Sequence, residues 1–449
     1  MPSTKPPGGT RDFLPDDIRR REYVVGIVRG VYERYGFEPL ETPAFENIET
    51  LLGKYGEEGN KLIFKILRRG EHEGSGEADL ALRYDLTVPL ARVIAQYQNE
   101  LPKFFKRYQI QPVWRADRPA RGRFREFYQC DIDAIGSTSP VVEADILAAV
   151  SQVLADLGFD DFTLRLNDRR VLNAVLECAG VPAALHGEAL IAIDKLDKIG
   201  PEGVQKELEG RGIDGAATTA CLEFFQGFTR DDPRGHSAID RLRAFVHGHA
   251  LGVDAVAALD AIVRLADGTP AHGRIRIDPS LARGLSYYTG AIMEISVPDL
   301  AGSLGGGGRY DQLVGMFLGR HIPACGFSLG LERIIVVMTE RQMFPAAAVS
   351  VPVEVMVALW NDETRSEALA LAAELRRTGL RVDVYPDSDK LGKQFKYASG
   401  RSVPFVAILG DDERARGEVA LKDLRTGEQQ SVARGEAAAY LQQRLRSNQ

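Results

Sequence analysis

The sequence predicts an α+β protein with two domains, and three observations support that prediction. Stretches in which aromatic and β-branched residues alternate with charges fill 103–135 and return at 274–297, as in strands. Between them, from about 167 to 273, the chain is rich in Ala, Leu and Glu and divides into helix-sized pieces. From 353 onward, strand and helix patterns alternate as β-α-β-α-β over roughly 100 residues, which is typical of a separate α/β domain.

The N-terminal region opens with a predicted helix at Ile18–Tyr35, because its apolar residues recur at helical spacing. Asp16 or Asp17 can cap this helix, and Gly36 can end it. The prolines of Phe37–Pro43 limit that segment to an edge strand or the start of a strand. The elements predicted next are extended structure at Leu80–Val88 and Lys103–Ile135, a helix at Val141–Leu157 and a strand at Phe162–Leu166.

Strand character resumes after the helical insertion and extends from Arg274 to Val297. Further along, a helix is predicted from about Gly330 to Arg341. The C-terminal domain is predicted to contain strands at Val353–Leu359, Arg381–Tyr385 and Pro404–Leu409, with helices at Thr364–Thr378 and Lys390–Ser399.

Composition excludes several classes of protein. The net charge of −7 shows that the whole chain is not a polycation, so nucleic-acid binding would require a local basic patch. The four cysteines lie far apart without a CxxC pair, which favours buried thiols in a reducing compartment. No HxxxH or HExxH pattern occurs, and no stretch approaches the roughly 18 apolar residues that span a membrane. We therefore expect a cytoplasmic protein without a histidine-held metal.

The strongest local anomaly is the basic segment 103–125. It contains eight cations and one acid, Asp117, inside a chain that is acidic overall. Such an excess favours an anionic ligand, most plausibly phosphates of a nucleotide or of an RNA end. A solvated basic hairpin remains the alternative.

Three further segments are candidates for chemistry. Arg283 precedes the paired Tyr287 and Tyr288, although a sheet edge would also explain this pattern. The run Gly305–Gly308 matches neither a dinucleotide-binding nor a P-loop pattern; it would allow close approach of a backbone or ligand, or act as a hinge. Arg333 stands near a predicted helix start, where it could meet an anion or simply face solvent. The GxSxG match at 326–330 is accidental, since no histidine follows it in the chain.

In this order, the motifs resemble those of class II aminoacyl-tRNA synthetases, and specifically of the histidyl-tRNA synthetase family. The segments that carry the resemblance are the opening at Gly8–Pro15, a first motif ending in Phe37–Pro43, a second motif at Arg115–Asp133, a third at Gly326–Arg333, and two histidine-specific stretches, Arg83–Thr87 and Arg283–Tyr288.

The resemblance implies an antiparallel catalytic sheet flanked by helices in domain 1–345, with the helical insertion at about 167–273. It implies an anticodon-binding domain at 351–449. It also implies a homodimer that activates L-histidine with ATP and Mg²⁺ and transfers histidine to the 3′ end of tRNA(His).

By the same resemblance, the catalytic residues are Arg283 and Arg115. ATP binding is expected of Arg115, Asp117, Arg123, Phe127 and Arg333. Histidine binding is expected of Asp85, Leu86, Thr87, Gln129, Asp133, Arg283, Tyr287 and Tyr288. Contacts with tRNA are expected of Arg118, Arg121, Lys393, Lys396 and Tyr397. The sequence identifies no side chain as a metal ligand.

Two other functions remain open at this point. The regulatory subunit of an ATP phosphoribosyltransferase resembles the catalytic domain but senses histidine; such relatives lack the C-terminal domain and tend to lose the arginine at the Arg283 position. Another class II synthetase, for proline or threonine, would share the C-terminal architecture but not the segment RGLSYYTG.

Overall fold

The computed structural model describes residues 3–193, 195–226, 228, 236–282, 287–349 and 353–446. The chain divides into two compact units, Met1–Phe344 and Pro345–Gln449. Among the described residues, no helix combines the length and apolar character that crossing a bilayer requires.

The first helix spans Pro15–Arg34 and follows the predicted one closely. Its start is stabilised by Asp17, whose carboxylate accepts the Leu14 N–H at 3.3 Å. It ends at a left-handed Gly36, with φ of 76°. The helix buries one apolar face, including Val24, Val28 and Val31, against the main sheet and a second long helix.

The first unit contains one large sheet and one small sheet. Its strands are β1 (Glu38–Pro39), β2 (Phe45–Asn47), β3 (Lys65–Leu67), β4 (Ala78–Leu82), β5 (Phe105–Trp114), β6 (Glu126–Ile135), β7 (Thr163–Asp168), β8 (Ile275–Ile277), β9 (Ala291–Ser296), β10 (Gly305–Arg309) and β11 (Ala324–Gly330). The large sheet has the order β1-β5-β6-β11-β10-β9-β7-β8, and the small one β2-β4-β3. Because all the central pairings are antiparallel, the large sheet matches the expected class.

The sheet is nevertheless mixed rather than wholly antiparallel. Its two edge pairs, β1 with β5 and β7 with β8, run parallel. Each of these edge strands is only two or three residues long. Long connections let each edge strand enter in the same direction as its neighbour. The prediction of an antiparallel sheet therefore holds for the centre and is corrected at both edges.

The extended prediction at Leu80–Val88 is half wrong. Strand β4 ends at Leu82, and a helix begins at Thr87 and runs to Gln96. Asp85 explains the change of direction, because its carboxylate accepts the Val88 N–H at 3.0 Å and satisfies the first turn of that helix. Asp85 is thereby held at the junction of a strand and a helix.

Most of the remaining helices of the first unit pack on the large sheet or build the predicted insertion, whereas the short helix Ile48–Leu51 packs on the small sheet. These remaining helices are Ile48–Leu51, Gly56–Lys61, Thr87–Gln96, Val141–Asp156, Arg169–Cys178, His186–Ile193, Leu196–Gly210, Gly215–Gln226, His236–Phe245, Ala250–Ala266, Gly315–Leu318 and Leu331–Glu340. Apolar residues of the insertion, such as Leu208 and Phe224, belong to the same buried cluster as Ile132 in the sheet. The insertion is thus anchored through a continuous apolar core.

The C-terminal unit is an α/β domain with a five-stranded sheet. Its elements are β12 (Val355–Ala358), a helix Arg365–Arg377, β13 (Val382–Val384), a helix Leu391–Gly400, β14 (Phe405–Ile408), a helix Asp411–Arg416, β15 (Glu418–Asp423), β16 (Gln429–Ala433) and a helix Ala437–Arg446. The sheet order is β13-β12-β14-β15-β16, with the first two pairings parallel and the last two antiparallel. The predicted β-α-β-α-β pattern is present, and the last two strands and the last two helices are not predicted from the sequence.

Candidate active site

A cavity of about 440 Å³ lies over the centre of the large sheet. Its floor comes from β6, β9, β10 and β11, and its walls come from the segment after β4, the loop between β5 and β6, the segment before β9 and the start of the helix Leu331–Glu340. The predicted site residues that line it are Asp85, Thr87, Arg115, Asp117, Arg123, Phe127, Gln129, Tyr287, Tyr288 and Arg333. Residues distant in sequence therefore meet in one cavity. Arg283 lies outside the described residues.

The glycine run is a strand of the sheet, not a hinge. Gly305–Gly308 form most of β10, paired with β9 on one side and β11 on the other. A Cβ at Gly307 would overlap the carbonyl oxygen of Gly326, and one at Gly305 would lie 2.5 Å from that of Ser328. The absence of side chains lets the neighbouring strands approach and keeps the cavity floor open.

The arginines that approach the cavity are each held by neighbouring groups. Arg115 Nε donates to the Tyr84 carbonyl at 3.0 Å, and its guanidinium lies 4.2 Å from the Tyr84 ring centroid and 5.2 Å from that of Phe127. Arg123 pairs with Asp117 at 2.7 Å, although its side chain remains 52% exposed. Arg333 donates to the Ser303 carbonyl. Arg115 and Arg333 are thus held by backbone carbonyls, whereas Arg123 is paired with Asp117 and still accessible to solvent.

The loop that carries Arg123 turns tightly over the helix start. Ala120 and Arg123 pair through their backbones around Gly122, whose φ of 67° is left-handed. A Cβ at Gly122 would lie 3.2 Å from Arg333 Cγ. Glycine is needed here both for the turn and for the close approach to Arg333.

On the opposite wall, the Asp85 carboxylate is almost wholly buried and oriented by three donors. Tyr55 O–H donates to Oδ1 at 3.0 Å, Tyr287 O–H donates to Oδ2 at 3.2 Å, and the Val88 N–H completes the set. Burial raises the pKa of Asp85, and the hydrogen bonds and the Arg115 charge oppose that rise. Asp85 therefore presents a fixed carboxylate to the cavity.

Gln129 offers a second acceptor to the cavity. Its Nε2 donates to Ser328 Oγ at 2.8 Å, which fixes the amide orientation. Its Oε1 is buried and has no hydrogen-bond partner among the described residues. A buried acceptor without a donor is costly, so this atom is suited to a ligand N–H.

Asp133 lies beneath the floor and does not line the cavity. It is 2% exposed, pairs with Arg107 Nη2 at 2.7 Å, and accepts the Tyr310 O–H. Burial raises its pKa, and Arg107 opposes the rise. Leu86 is likewise fully buried, with its carbonyl accepting from Arg107 at 3.3 Å. Asp133 and Leu86, both predicted to bind histidine, therefore do not line the cavity.

Three residues of this region were not anticipated from the sequence: Arg107, Tyr55 and Tyr310. Arg107 is fully buried and also stands 3.9 Å from Asp131, whose pKa burial raises to about 7. The sequence did contain one signal for Arg107: polar residues stand at alternate positions of β5, beginning with Arg107 and Gln109. These residues share one face of the strand, and other parts of the protein must cover that face. Tyr55 and Tyr310 lie in segments whose sequence gives no such signal.

The predicted tRNA contacts of the first unit lie at the tip of the loop between β5 and β6. Arg118 is exposed. Arg121 is exposed but paired with Glu340, and its Nη1 donates to the Asp299 carbonyl at 3.1 Å. Arg118 is accordingly the more available of the two.

In the C-terminal unit, Lys393, Lys396 and Tyr397 lie on exposed positions of the helix Leu391–Gly400. Lys393 pairs with Asp389 at 2.7 Å. The Tyr397 ring packs edge-on against Tyr385, with centroids 5.3 Å apart, and is 42% exposed. An exposed aromatic next to lysines suits base stacking and phosphate contact.

No group of three or more Asp, Glu, His or Cys side chains suitable for a metal ion occurs within the described part of the chain. Besides Asp85 and Asp117, two further carboxylates line the cavity: Glu294 on β9 and Glu332 at the start of the helix Leu331–Glu340. Their placement is that of single carboxylates beside a cavity, not of a closed protein cage.

Comparison with known proteins gives consistent results over nearly the whole chain. A family model described as histidyl-tRNA synthetase matches residues 9–334, and one described as anticodon binding domain matches 354–444. The histidine–tRNA ligase of Christiangramia forsetii is 40% identical over 447 residues, covering 95% of this chain and 96% of that protein. The crystal structure of histidyl-tRNA synthetase from Nostoc has a TM-score of 0.82 and 32% identity, covering 99% of this chain and 100% of that one. A third match is a structure from Bacillus halodurans that is described as an ATP phosphoribosyltransferase regulatory subunit/histidyl-tRNA synthetase. It has a TM-score of 0.72 and 21% identity, and the match covers 89% of this chain and 97% of that one. This similarity shows a shared fold.

Proposed function

The chain belongs to the histidyl-tRNA synthetase family, and from that premise we propose how its own residues perform the family's reaction. The activity is histidine–tRNA ligation: L-histidine and ATP form histidyl-adenylate and diphosphate, and the histidyl group is then transferred to tRNA(His). One observation supports the assignment of the cavity above all others. Two buried acceptors, Asp85 and Gln129 Oε1, lie in the same cavity as three arginines.

The acceptors are suited to the amino-acid end of the substrate. A protonated α-amino group has three N–H donors, and Asp85 and the unpartnered Gln129 Oε1 can accept two of them. Thr87, at the first position of its helix, would add a further polar contact. Tyr287 and Tyr288 would line the imidazole, and Asp133 would reach it from below the floor after a small rearrangement.

The arginines are suited to the nucleotide. The substrate carboxylate attacks the α-phosphate, so negative charge spreads over the transferring phosphate and its diphosphate leaving group. Arg115, fixed by the Tyr84 carbonyl, would stabilise the α-phosphate, and Arg123 and Arg333 the outer phosphates. Asp117 would set the position of Arg123, and Phe127 would pack on adenine. Arg283 would approach the α-phosphate from the amino-acid side.

Mg²⁺ fits this cavity as an ion carried mainly by the ATP phosphates. Such ions commonly take one or two carboxylates from the protein and the rest of their ligands from phosphates and water. Glu294 is the carboxylate we assign to it: it is 8% exposed, stands in register with Gly306 of the cavity floor, and accepts from Arg165 at 3.1 Å through Oε1. When bound, the magnesium ion would neutralise charge on the outer phosphates.

The C-terminal domain separates this function from that of a histidine-sensing regulatory subunit. Residues 354–444 match the anticodon-binding family, a domain that the regulatory relatives would not need. We propose that 1–345 is the catalytic domain and 351–449 the domain that recognises tRNA(His). Lys393, Lys396 and Tyr397 would contact the anticodon arm, while Arg118 and Arg121 would meet the acceptor end.

We also propose a cytoplasmic homodimer formed through the first motif. Strand β1 lies at the edge of the large sheet, and beside it is a groove whose lining includes Leu40, Phe45 and Tyr97. Phe45 and Tyr97 are 52% and 40% exposed, an apolar surface suited to a second copy of the chain. Light scattering at micromolar concentration measures this directly; a fully active monomer would refute it.

Pyrophosphate exchange with each amino acid in turn tests the proposed activity. Histidine alone should support ATP-dependent exchange, since a site that must satisfy buried polar groups discriminates strongly against ligands that cannot. Asp85→Asn should raise the KM for histidine, and Lys65→Ala, on a strand of the small sheet outside the cavity, is the matched control. Exchange with proline or threonine in place of histidine would overturn the assignment.

A further inference from the structure

The N-terminal segment 8–13, here called the N-terminal strap, lies against the loop between β5 and β6. The Arg125 N–H donates to the Gly9 carbonyl at 2.8 Å, and Arg125 Nη1 donates to the Gly8 carbonyl at 3.2 Å. Gly9 has a left-handed φ of 86°, and a Cβ there would lie 2.7 Å from Arg125 Cγ and 3.0 Å from Pro119 Cγ. The strap is therefore joined to the loop through two backbone carbonyls, and the close approach at position 9 requires glycine.

Arg11 connects the strap to two residues that line the cavity. Its guanidinium lies 3.5 Å from the centroid of the Phe124 ring and 3.9 Å from the Glu332 carboxylate. Glu332 is 3% exposed and accepts the Tyr128 N–H at 2.9 Å, so Arg11 meets a carboxylate already fixed to β6. One side chain thus joins the arginine-bearing loop to the start of the helix that carries Arg333.

Phe13, at the end of the strap, connects the strap to Arg21 of the first helix. Its ring lies 3.8 Å from the Arg21 guanidinium, which is also 4.6 Å from the Tyr128 ring and 3.9 Å from Glu332. Arg21 Nε and Nη2 are buried without a hydrogen-bond partner among the described residues. Arg21 therefore depends on these rings and on Glu332, which couples the first helix to the same contacts.

We propose that the N-terminal strap, acting through Arg11, positions the loop between β5 and β6 for ATP, and that Arg11 is a positioning residue of the nucleotide half of the site. This inference rests on the proposed use of the cavity for ATP. Arg11 does not line the cavity, whereas Phe124 and Glu332, the two groups it joins, do. Its loss should loosen the loop that presents Arg123 and leave the histidine end unchanged, because Asp85 and Gln129 are held by other elements.

The test is Arg11→Ala in the full chain, measured in two ways. By pyrophosphate exchange, the KM for ATP should rise about tenfold while the KM for histidine stays within about twofold. By hydrogen exchange and mass spectrometry on the free protein, a peptide covering 116–125 should exchange faster, since it contains the Arg125 amide that the strap binds. Arg11→Lys retains the charge but not the planar face over Phe124. The KM for ATP of this variant should therefore lie between those of the unmodified protein and Arg11→Ala.

Arg20→Ala is the matched control. Its side chain is 32% exposed, against 35% for Arg11, but it lies 5.9 Å from the Phe344 ring and 4.0 Å from Asp17, away from the cavity. Equal rises of both KM values with a lowered Tm, or an unchanged exchange rate in 116–125, would overturn the positioning role. If the unmodified protein lacked histidine-dependent exchange, the proposed function would fail, and the hydrogen-exchange comparison would still decide whether the strap orders the loop.

Discussion

Replacing Arg107 by methionine should destabilise the first unit strongly and in a pH-dependent way. Arg107 is fully buried and is the cation beside two buried carboxylates, at 2.7 Å from Asp133 and 3.9 Å from Asp131. Removing one partner of a buried ion pair costs about 3–5 kcal/mol, because an uncompensated charge is left behind. Methionine approximates the volume, so the loss should come mainly from charge and not from a cavity.

The sign of the pH dependence follows from the carboxyl groups. Burial already raises the pKa of Asp131 and Asp133 above their ordinary range, and losing Arg107 would raise both further. A carboxyl with a higher pKa in the folded state takes up a proton on folding. Its penalty is therefore absent below the unfolded pKa and grows as pH rises towards the folded pKa. The deficit of Arg107→Met should thus be larger at pH 8 than at pH 5.

Urea unfolding followed by Trp114 fluorescence in a Trp360→Phe background measures this deficit for the first unit. Trp114 ends β5, the strand that carries Arg107, and Trp360 belongs to the C-terminal unit. The double variant Arg107→Met with Asp131→Asn should recover part of the loss, because one uncompensated carboxylate is removed. A deficit below about 1 kcal/mol, or one that does not change with pH, would refute the electrostatic reasoning.

Three further outcomes follow from the proposed site. Arg283→Ala should lower the rate of pyrophosphate exchange at least ~100-fold while circular dichroism stays unchanged; near-normal exchange would remove Arg283 from the catalytic residues. Asp133→Ala should raise the KM for histidine more than that for ATP, in steady-state exchange assays, and equal effects would contradict its role in imidazole recognition. Removing 351–449 should spare exchange and sharply weaken aminoacylation of tRNA(His), because every proposed adenylation residue precedes Arg341; loss of both in a folded protein would contradict the division of labour.

The hairpin of β5 and β6 shows what sequence patterning can predict. Aromatic and β-branched residues between charges predicted extended structure over Lys103–Ile135, where the structure has β5 and β6, and the excess of cations marked the segment that contains the loop between them. Both signals are local, since side-chain alternation and charge are properties of consecutive residues. The order of this and the other motifs along the chain then carried the family resemblance.

The groups beneath and beside the cavity depended on contacts between distant segments. Arg107 stands directly across from Asp133 only because of the register between β5 and β6, which the sequence of either strand does not contain. Tyr55 reaches Asp85 from a separate helix-bearing segment, and Tyr310 reaches Asp133 after β10. The parallel edge strands likewise result from how the chain returns to the sheet, so their direction could not be predicted locally.

The side-chain-free floor of β10 limits how the substrate range of this protein can evolve. A methyl group at Gly307, Gly305 or Gly326 would collide with backbone or with the Asp133 carboxylate, whereas Gly306 has its nearest neighbour at 3.3 Å. Substitution of these three glycines, even by alanine, is therefore sterically excluded. New amino-acid preferences would have to arise on the walls, at positions such as Tyr287 and Tyr288, where a change of side chain leaves the sheet intact.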